Sequence, residues 1–175
     1  MSVAMRRAAW GLAVVVALVL LVVFGFKRSP SAANGRVAPE LPREQLSGSQ
    51  VTLASELAGA GGRPVLVVFW ASWCDPCIHE APAIARFAES AAGRGRIVGV
   101  NWSDPQLSSA RSFVRHYNWR FPNLRDSEGT VGTAYRLTVL PTTFVITRPG
   151  RISAVLRGPQ SESSLEAALK RAERS

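Results

Sequence analysis

The chain has 175 residues, 47 % of them hydrophobic, and its 21 basic and 12 acidic side chains give a formal net charge of +9. It contains two cysteines, which argues against a structural zinc site of the usual four-ligand kind. The basic residues are spread along the sequence without a dense basic run. This argues against nucleic-acid binding and leaves attraction to anionic lipid or an acidic partner open.

The N-terminal segment is apolar enough to span a membrane. Ala8 to Phe26 contain no charge and no proline, and as a helix they would be about 28 Å long, close to the roughly 30 Å of a bilayer core. Residues 1–27 are predicted to be a cytoplasmic start and a transmembrane or signal-anchor helix, with the following domain outside the cytoplasm. A cleaved signal peptide, with Arg6 and Arg7 as its basic start, is the alternative, although such peptides have apolar runs of only ~7–15 residues.

The remaining sequence divides into a linker and one domain. Residues 28–42 are rich in Ser, Pro, Ala and Gly and predict a flexible linker. Residues 43–175 have the size of a single domain. Within it, Gln50–Leu53 is a short strand candidate, and the continuously apolar run Val65–Trp70 predicts a strand buried on both faces.

Helices and strands alternate through the rest of the domain. The predicted elements are a helix over Cys74–Ala92, a strand over Ile97–Asn101, a helix from the cap Asp104 to Tyr117, a short helix over Asp126–Tyr135, and a hairpin of Thr142–Thr147 and Ile152–Arg157. A last helix follows, with Ser163 and Glu166 as its capping box. This order predicts an α/β fold with a mixed central β-sheet flanked by helices.

The two cysteines form the run Trp73-Cys74-Asp75-Pro76-Cys77, directly before a predicted helix. A disulfide with this spacing closes too short a loop to stabilise the chain much, so the pair is more suited to reaction than to bracing. Unpaired N–H groups and the helix dipole favour a thiolate at a helix start. Cys74 is therefore the predicted nucleophile and Cys77 the resolving thiol.

The two residues between the cysteines adjust this chemistry. Pro76 is tolerated in a first helical turn and stiffens it. Asp75 places a negative charge near Cys74, which should raise the pKa of that thiol relative to a basic residue at the same place. A less stabilised thiolate gives a less oxidising disulfide, so the pair is predicted to be a reductant.

Several further motifs accompany the cysteine pair. The run WCDPC follows VLVVFWAS, Pro82 lies five residues after Cys77, and Leu140-Pro141-Thr142 precedes the terminal hairpin. From about Ala38 to its end the chain resembles the thioredoxin superfamily, and within it the membrane-tethered ResA/TlpA-type branch. The resemblance implies a thioredoxin fold with an N-terminal β extension, a helical insertion after the second core strand between Ser103 and Arg136, and an N-terminal transmembrane helix.

The resemblance also implies roles for single residues. Pro141 matches the cis-proline that lies against the active-site disulfide, and Glu80 matches a proton-handling glutamate. Thioredoxin carries a buried aspartate where this chain has Val68, which leaves Glu80 as the available base for Cys77. Substrate contacts are expected from Trp73, Asp75, Pro76, Leu140 and Pro141.

Three aromatic residues in or near the insertion, Trp102, Trp119 and Tyr135, are expected to pack in the core rather than bind substrate.

For function, the resemblance implies an extracytoplasmic disulfide reductant in cytochrome c maturation that keeps haem-attachment cysteines reduced. Its partners would be disulfides in proteins such as apocytochrome c or a haem-lyase component, and a membrane electron donor. No cofactor is expected beyond the Cys74–Cys77 disulfide, and no metal.

Three alternatives stay open: a general disulfide oxidase or isomerase, a copper chaperone of the same fold using His79 or His116, and a peroxidase, which the WCxxC motif disfavours.

Overall fold

A six-stranded mixed β-sheet forms the centre of the domain in the computed structural model, which describes residues 35–174. The strands are β1 (Glu44–Ser47), β2 (Val65–Trp70), β3 (Ile97–Trp102), β4 (Asn123–Asp126), β5 (Thr142–Thr147) and β6 (Arg151–Arg157), in the order β1-β4-β3-β2-β5-β6. The helices are α1 (Leu53–Gly59), α2 (Asp75–Glu89), α3 (Leu107–His116), α4 (Thr130–Ala134) and α5 (Glu162–Ala172). The predicted α/β class, with a mixed sheet between helices, is confirmed.

Strand β2 lies at the centre of the sheet and carries the active-site loop at its end. It pairs in parallel with β3 and antiparallel with β5. All six of its residues are buried, which confirms the prediction from the apolar run. Leu66, Val68 and Trp70 face a core formed with α2, α3 and α5, whereas Val65, Val67 and Phe69 face a second core that includes residues of α1.

The predicted strand at Gln50–Leu53 is wrong, because its last residue begins a helix. Thr52 caps α1: its hydroxyl accepts a hydrogen bond from Ser55 N, and the Ser55 hydroxyl accepts one from Thr52 N. Leu53 and Leu57, four residues apart, are both buried. The first strand lies upstream, at Glu44–Ser47.

The predicted insertion between Ser103 and Arg136 contains a strand as well as helices. Strand β4 occupies Asn123–Asp126, where the sequence predicts no strand and places the start of a helix at Asp126. Asp126 instead ends the strand, and its carboxylate accepts hydrogen bonds from Val131 N and Gly132 N in the first turn of α4.

Two predicted helix caps do not form. Helix α3 begins at Leu107, and Asp104 turns toward the active-site loop instead of capping it. In α5 the cap is Ser161, whose hydroxyl accepts a hydrogen bond from Ser164 N, so the predicted capping box of Ser163 and Glu166 is wrong.

The described part of the predicted linker, residues 35–42, packs on the domain. Ala38 N donates to Gly150 O at 2.8 Å, and Ala38 and Leu41 are each only 6 % exposed. Here the flexible-linker prediction is wrong, since apolar contacts hold the segment.

None of the helices within residues 35–174 has the length and apolar character that crossing a bilayer requires. The predicted span at residues 8–26 lies outside this part of the chain.

Candidate functional site

Cys74 and Cys77 form a disulfide at the junction of β2 and α2. Their Cα atoms are 5.2 Å apart. Strand β2 ends at Trp70, three residues form a loop, and Cys74 is the residue that caps α2. Parallel strands end at the same edge of a sheet, where ligands bind in open α/β folds, so the pair lies at the expected edge.

The start of α2 places one backbone donor against the Cys74 sulfur. Cys77 N lies 3.2 Å from Cys74 Sγ in hydrogen-bonding geometry. Cys77 N and Ile78 N also donate to Cys74 O, at 2.9 and 3.1 Å. When the pair is reduced, the Cys77 N–H group and the positive end of the helix favour a thiolate on Cys74.

A shallow groove of about 390 Å³ opens beside Cys74. Four of the residues predicted to contact substrate line it, namely Trp73, Asp75, Pro76 and Leu140. Two of the apolar side chains that line the groove are exposed, Trp73 at 53 % and Val139 at 46 %. The site therefore presents apolar side chains around a reactive sulfur.

The Leu140–Pro141 peptide bond is cis, the isomer that the family resemblance implies. Pro141 itself is buried and follows Leu140, which lines the groove, in the chain. The next residue, Thr142, pairs with Phe69 in the register of β5 and β2. The sheet thus holds the proline loop beside the end of the strand that leads to the cysteines.

Glu80 is a carboxyl group buried one helical turn after Cys77, on the same buried face of α2. It is 3 % exposed and accepts a hydrogen bond from Gln160 N at 3.1 Å. Burial raises the pKa of Glu80 to about 7, and the hydrogen bond from Gln160 opposes part of that rise. A carboxyl with this pKa exchanges protons at neutral pH.

The aromatic residues of the insertion divide between core and groove. Trp119 and Tyr135 are buried, and their polar atoms donate to Ala81 O and Pro39 O, which confirms the predicted packing role. Trp102 is half-buried and lines the groove together with Leu137 and Thr138. Trp102 lies at the end of β3, beside β2, and this position is the signal that could have identified it as a groove residue.

His79 and His116, the histidines of the copper-chaperone alternative, both lie in the described part of the chain. Within residues 35–174, no group of three or more His, Cys, Asp and Glu side chains is arranged to hold a metal ion.

Asp104 is a buried residue at the site that sequence analysis misassigned. Its carboxylate accepts hydrogen bonds from Ser72 N at 2.7 Å and from Asn101 Nδ2 at 3.0 Å. Ser72 lies two residues before Cys74, so the carboxylate holds the loop that carries the nucleophile. Burial acts to raise the pKa of Asp104. The hydrogen bonds from Ser72, Asn101 and Gln106 outweigh this effect, so the pKa of Asp104 is lowered.

The comparisons with known proteins agree with this geometry. A model of the AhpC/TSA family matches residues 34–155. The chain belongs to the AhpC/TSA family. The ResA thiol-disulfide oxidoreductase of Bacillus subtilis is 33 % identical over 141 residues, which cover 80 % of this chain and 76 % of the relative. The thioredoxin-like protein YneN of the same organism is 31 % identical over 145 residues, 82 % of each chain.

A solved structure supports the fold. A DsbE-type thiol:disulfide interchange protein of Chlorobium tepidum superposes with a TM-score of 0.65 at 26 % identity, over 82 % of this chain and 96 % of that one. The domain therefore has the thioredoxin fold that the sequence predicts. With its relatives and its Cys74–Cys77 pair, this member of the family is a thiol–disulfide oxidoreductase.

Replacing Asp104 by alanine is expected to loosen the loop before Cys74. Ser72 N and Asn101 Nδ2 would lose their acceptor, at a cost of about 1–3 kcal/mol in the free energy of unfolding. The second-order rate constant for reducing insulin is expected to fall about tenfold, because Trp73 and Cys74 lie on the same loop. Urea denaturation and insulin reduction measure the two effects.

The matched control is Asp126→Ala, which removes another buried carboxylate that accepts from two backbone N–H groups. This variant is expected to lose similar stability while keeping more of the reductase rate. Equal losses of activity in the two variants would show that Asp104 acts through stability alone.

Proposed function

We propose that the protein is a membrane-anchored, extracytoplasmic thiol–disulfide oxidoreductase that reduces disulfides in partner proteins. Residues 1–27 would anchor it, and the chain from about residue 35 would form the catalytic domain. The observation that carries the proposal is the arrangement of Cys74 at a helix start beside an open groove, with Cys77 and Glu80 buried behind it.

The reaction takes place on the two sulfurs. The thiolate of Cys74 attacks one sulfur of the substrate disulfide, which breaks that bond, forms a mixed disulfide and releases the first substrate sulfur as a thiolate that takes a proton from water. Glu80 accepts the proton of Cys77, and the Cys77 thiolate attacks Cys74 Sγ. The second substrate sulfur leaves as a thiolate and takes the proton that Glu80 received from Cys77. Two electrons have then passed to the substrate, and the Cys74–Cys77 disulfide is formed.

The disulfide must then be reduced again by a dithiol of a membrane electron donor, with the same exchange run in reverse. No cofactor beyond the Cys74–Cys77 pair is needed, since every step is a thiol–disulfide exchange.

The groove is proposed to bind an extended segment of the partner protein. Trp73 and Val139 offer exposed apolar surface in its lining, and Leu140 with Pro141 would present backbone to the substrate strand. Replacing both Trp73 and Val139 by alanine is expected to lower kcat/KM for insulin about tenfold. The rate with a small disulfide such as dithiobis(nitrobenzoate) should stay near wild type, because that substrate needs no groove.

The partner proposed from the family resemblance is apocytochrome c, whose two haem-attachment cysteines the protein would keep reduced, directly or through a haem-lyase component. The test uses the Cys77→Ala variant, which cannot resolve a mixed disulfide, in membranes of the source cells. Apocytochrome c or a haem-lyase component bound to Cys74 would support the role. Capture of unrelated exported proteins would instead indicate a general reductant or isomerase.

A further inference from the structure

Arginines that are far apart in the sequence meet at one end of the folded domain. Arg63 lies two residues before β2, Arg148 lies in the turn between β5 and β6, and Arg151 is the first residue of β6. All three line one surface groove with Gly35 and Glu173. Arg171 lies in the last turn of α5, close to Glu173 in the sequence. The four side chains are exposed, and together they are called the basic pole.

The basic pole keeps most of its positive charge. Glu173, the carboxylate in the same groove, is paired with the buried Arg96 at 2.7 Å. Glu40 lines a neighbouring groove with Arg148 without reaching ion-pair distance. Within residues 35–174, no carboxylate forms an ion pair with any of the four arginines.

The basic pole lies at the end of the sheet opposite the cysteines. Strand β2 starts beside Arg63 and ends at Trp70, just before the active-site loop. Its six residues separate the two ends by about 20 Å.

The chain also enters the domain at the basic pole. Val37 pairs with Arg151, and Gly35 N donates to Ile152 O. Phe26, the last residue of the apolar N-terminal run, is nine residues before Gly35. Nine extended residues reach at most about 30 Å, so a membrane that held the apolar run would lie within that distance of the pole. Lys27 and Arg28 add two more positive charges to the connection.

We propose that the basic pole rests on the anionic headgroups of the membrane in which the chain is anchored, with the cysteine end directed away from the bilayer. The proposal rests on the anchor in the proposed function. Arginines within a Debye length of an anionic surface are attracted to it. A nucleic acid would offer the same negative charges. The proposed anchor, however, would bring a lipid surface, and not a nucleic acid, close to this end of the domain.

The test measures which end of the full-length, oxidised protein lies at the bilayer. Both native cysteines are in the disulfide, so one introduced cysteine can carry a donor dye. Ala91→Cys places the dye on the exposed turn between α2 and β3, at the end of the sheet that carries the pole. Gln106→Cys places it before α3, at the opposite end. The vesicles contain acceptor-labelled lipid in phosphatidylcholine, alone or mixed with phosphatidylglycerol.

Energy transfer from the dye at position 91 is expected to rise when phosphatidylglycerol is present. At high salt it is expected to fall back to the value measured with phosphatidylcholine alone. Transfer from position 106 is expected to stay lower. The double variant R148Q/R151Q is expected to weaken this lipid-dependent association by on the order of tenfold. The control R111Q/R136Q removes the same charge from other exposed positions and is expected to change little.

Equal transfer in the two lipids, no effect of R148Q/R151Q, or higher transfer from position 106 would each overturn the proposal. Loss of binding to double-stranded DNA in R148Q/R151Q, with unchanged lipid transfer, would assign the pole to a different polyanion and also overturn it. The proposal can still be tested if the chain is cleaved after the apolar run. The basic pole alone is then expected to bind the cleaved chain to vesicles that contain phosphatidylglycerol. Insulin reduction by each variant tests the proposed function separately.

Discussion

Replacing Cys74 by serine is expected to abolish disulfide reduction, with the rate falling on the order of a thousandfold or more. Cys74 lines the groove and its sulfur accepts a hydrogen bond from Cys77 N. Cys77 is not among the residues that line the groove and is 2 % exposed, against 5 % for Cys74. A serine hydroxyl at position 74 neither ionises near neutral pH nor exchanges with a disulfide. The variant should therefore form no mixed disulfide with insulin.

Cys77→Ser is the matched variant, because it removes one sulfur from the same pair. It should still attack substrate through Cys74 and then accumulate a covalent complex, visible on a non-reducing gel and released by dithiothreitol. If the covalent complex formed in Cys74→Ser instead, Cys77 would be the attacking thiol and the assignment would be reversed.

Replacing Glu80 by glutamine is expected to slow turnover with insulin by about a hundredfold at neutral pH. Glutamine keeps an oxygen that can accept the hydrogen bond from Gln160 N, but it cannot take the proton of Cys77. In the wild type, turnover should fall as the pH drops below about 7, because Glu80 becomes protonated. The variant should lose this dependence.

Glu80→Gln is expected to slow turnover but to raise the stability of the folded protein above neutral pH. The pKa of Glu80 is raised from 4.5 to about 7 in the folded protein, so the folded chain binds more protons than the unfolded chain between these values. The contribution of protonated Glu80 to the free energy of unfolding is therefore fully present below pH 4.5 and is lost as the pH rises through about 7. Above that pH the variant is expected to be more stable by up to about 3 kcal/mol.

Glu89→Gln is the control for both effects, since Glu89 is an exposed carboxylate at the end of the same helix. It should change neither the pH–rate profile nor the pH dependence of unfolding. A Glu80→Gln variant with the wild-type pH–rate profile would remove Glu80 from proton transfer, even if its stability changed as expected.

Local signals in the sequence predicted the centre of the fold and the position of the cysteines. The run Val65–Trp70 is apolar at every position, so its burial on both faces does not depend on a register. The Trp73–Cys77 motif follows that strand closely, so the disulfide lies at the carboxyl end of the central strand β2. The hairpin of β5 and β6 was similarly marked by two apolar runs around a turn.

Tertiary contacts decided the features that sequence analysis missed. The pattern Asp104-Pro105 fits a helix cap, but Asn101 and Ser72, one of them 32 residues away, bind the carboxylate instead. The hydrogen bond to the buried Glu80 likewise comes from Gln160, 80 residues further along the chain. Contacts over such separations leave no periodic signal in a single sequence.

The charge distribution was hidden for the same reason. Arg63, Arg148 and Arg151 form no basic run in the sequence, and the sheet brings them into one groove. Sequence analysis could therefore report the net charge but could not locate it on the domain.

The reduction potential of the Cys74–Cys77 disulfide, measured by equilibration with dithiothreitol or glutathione buffers, tests most directly whether this protein is a reductant. Asp75 beside the nucleophile predicts a value near the roughly −270 mV of thioredoxin. A value near the roughly −120 mV of DsbA would contradict the account, because such a disulfide would oxidise the partner cysteines that it is proposed to reduce.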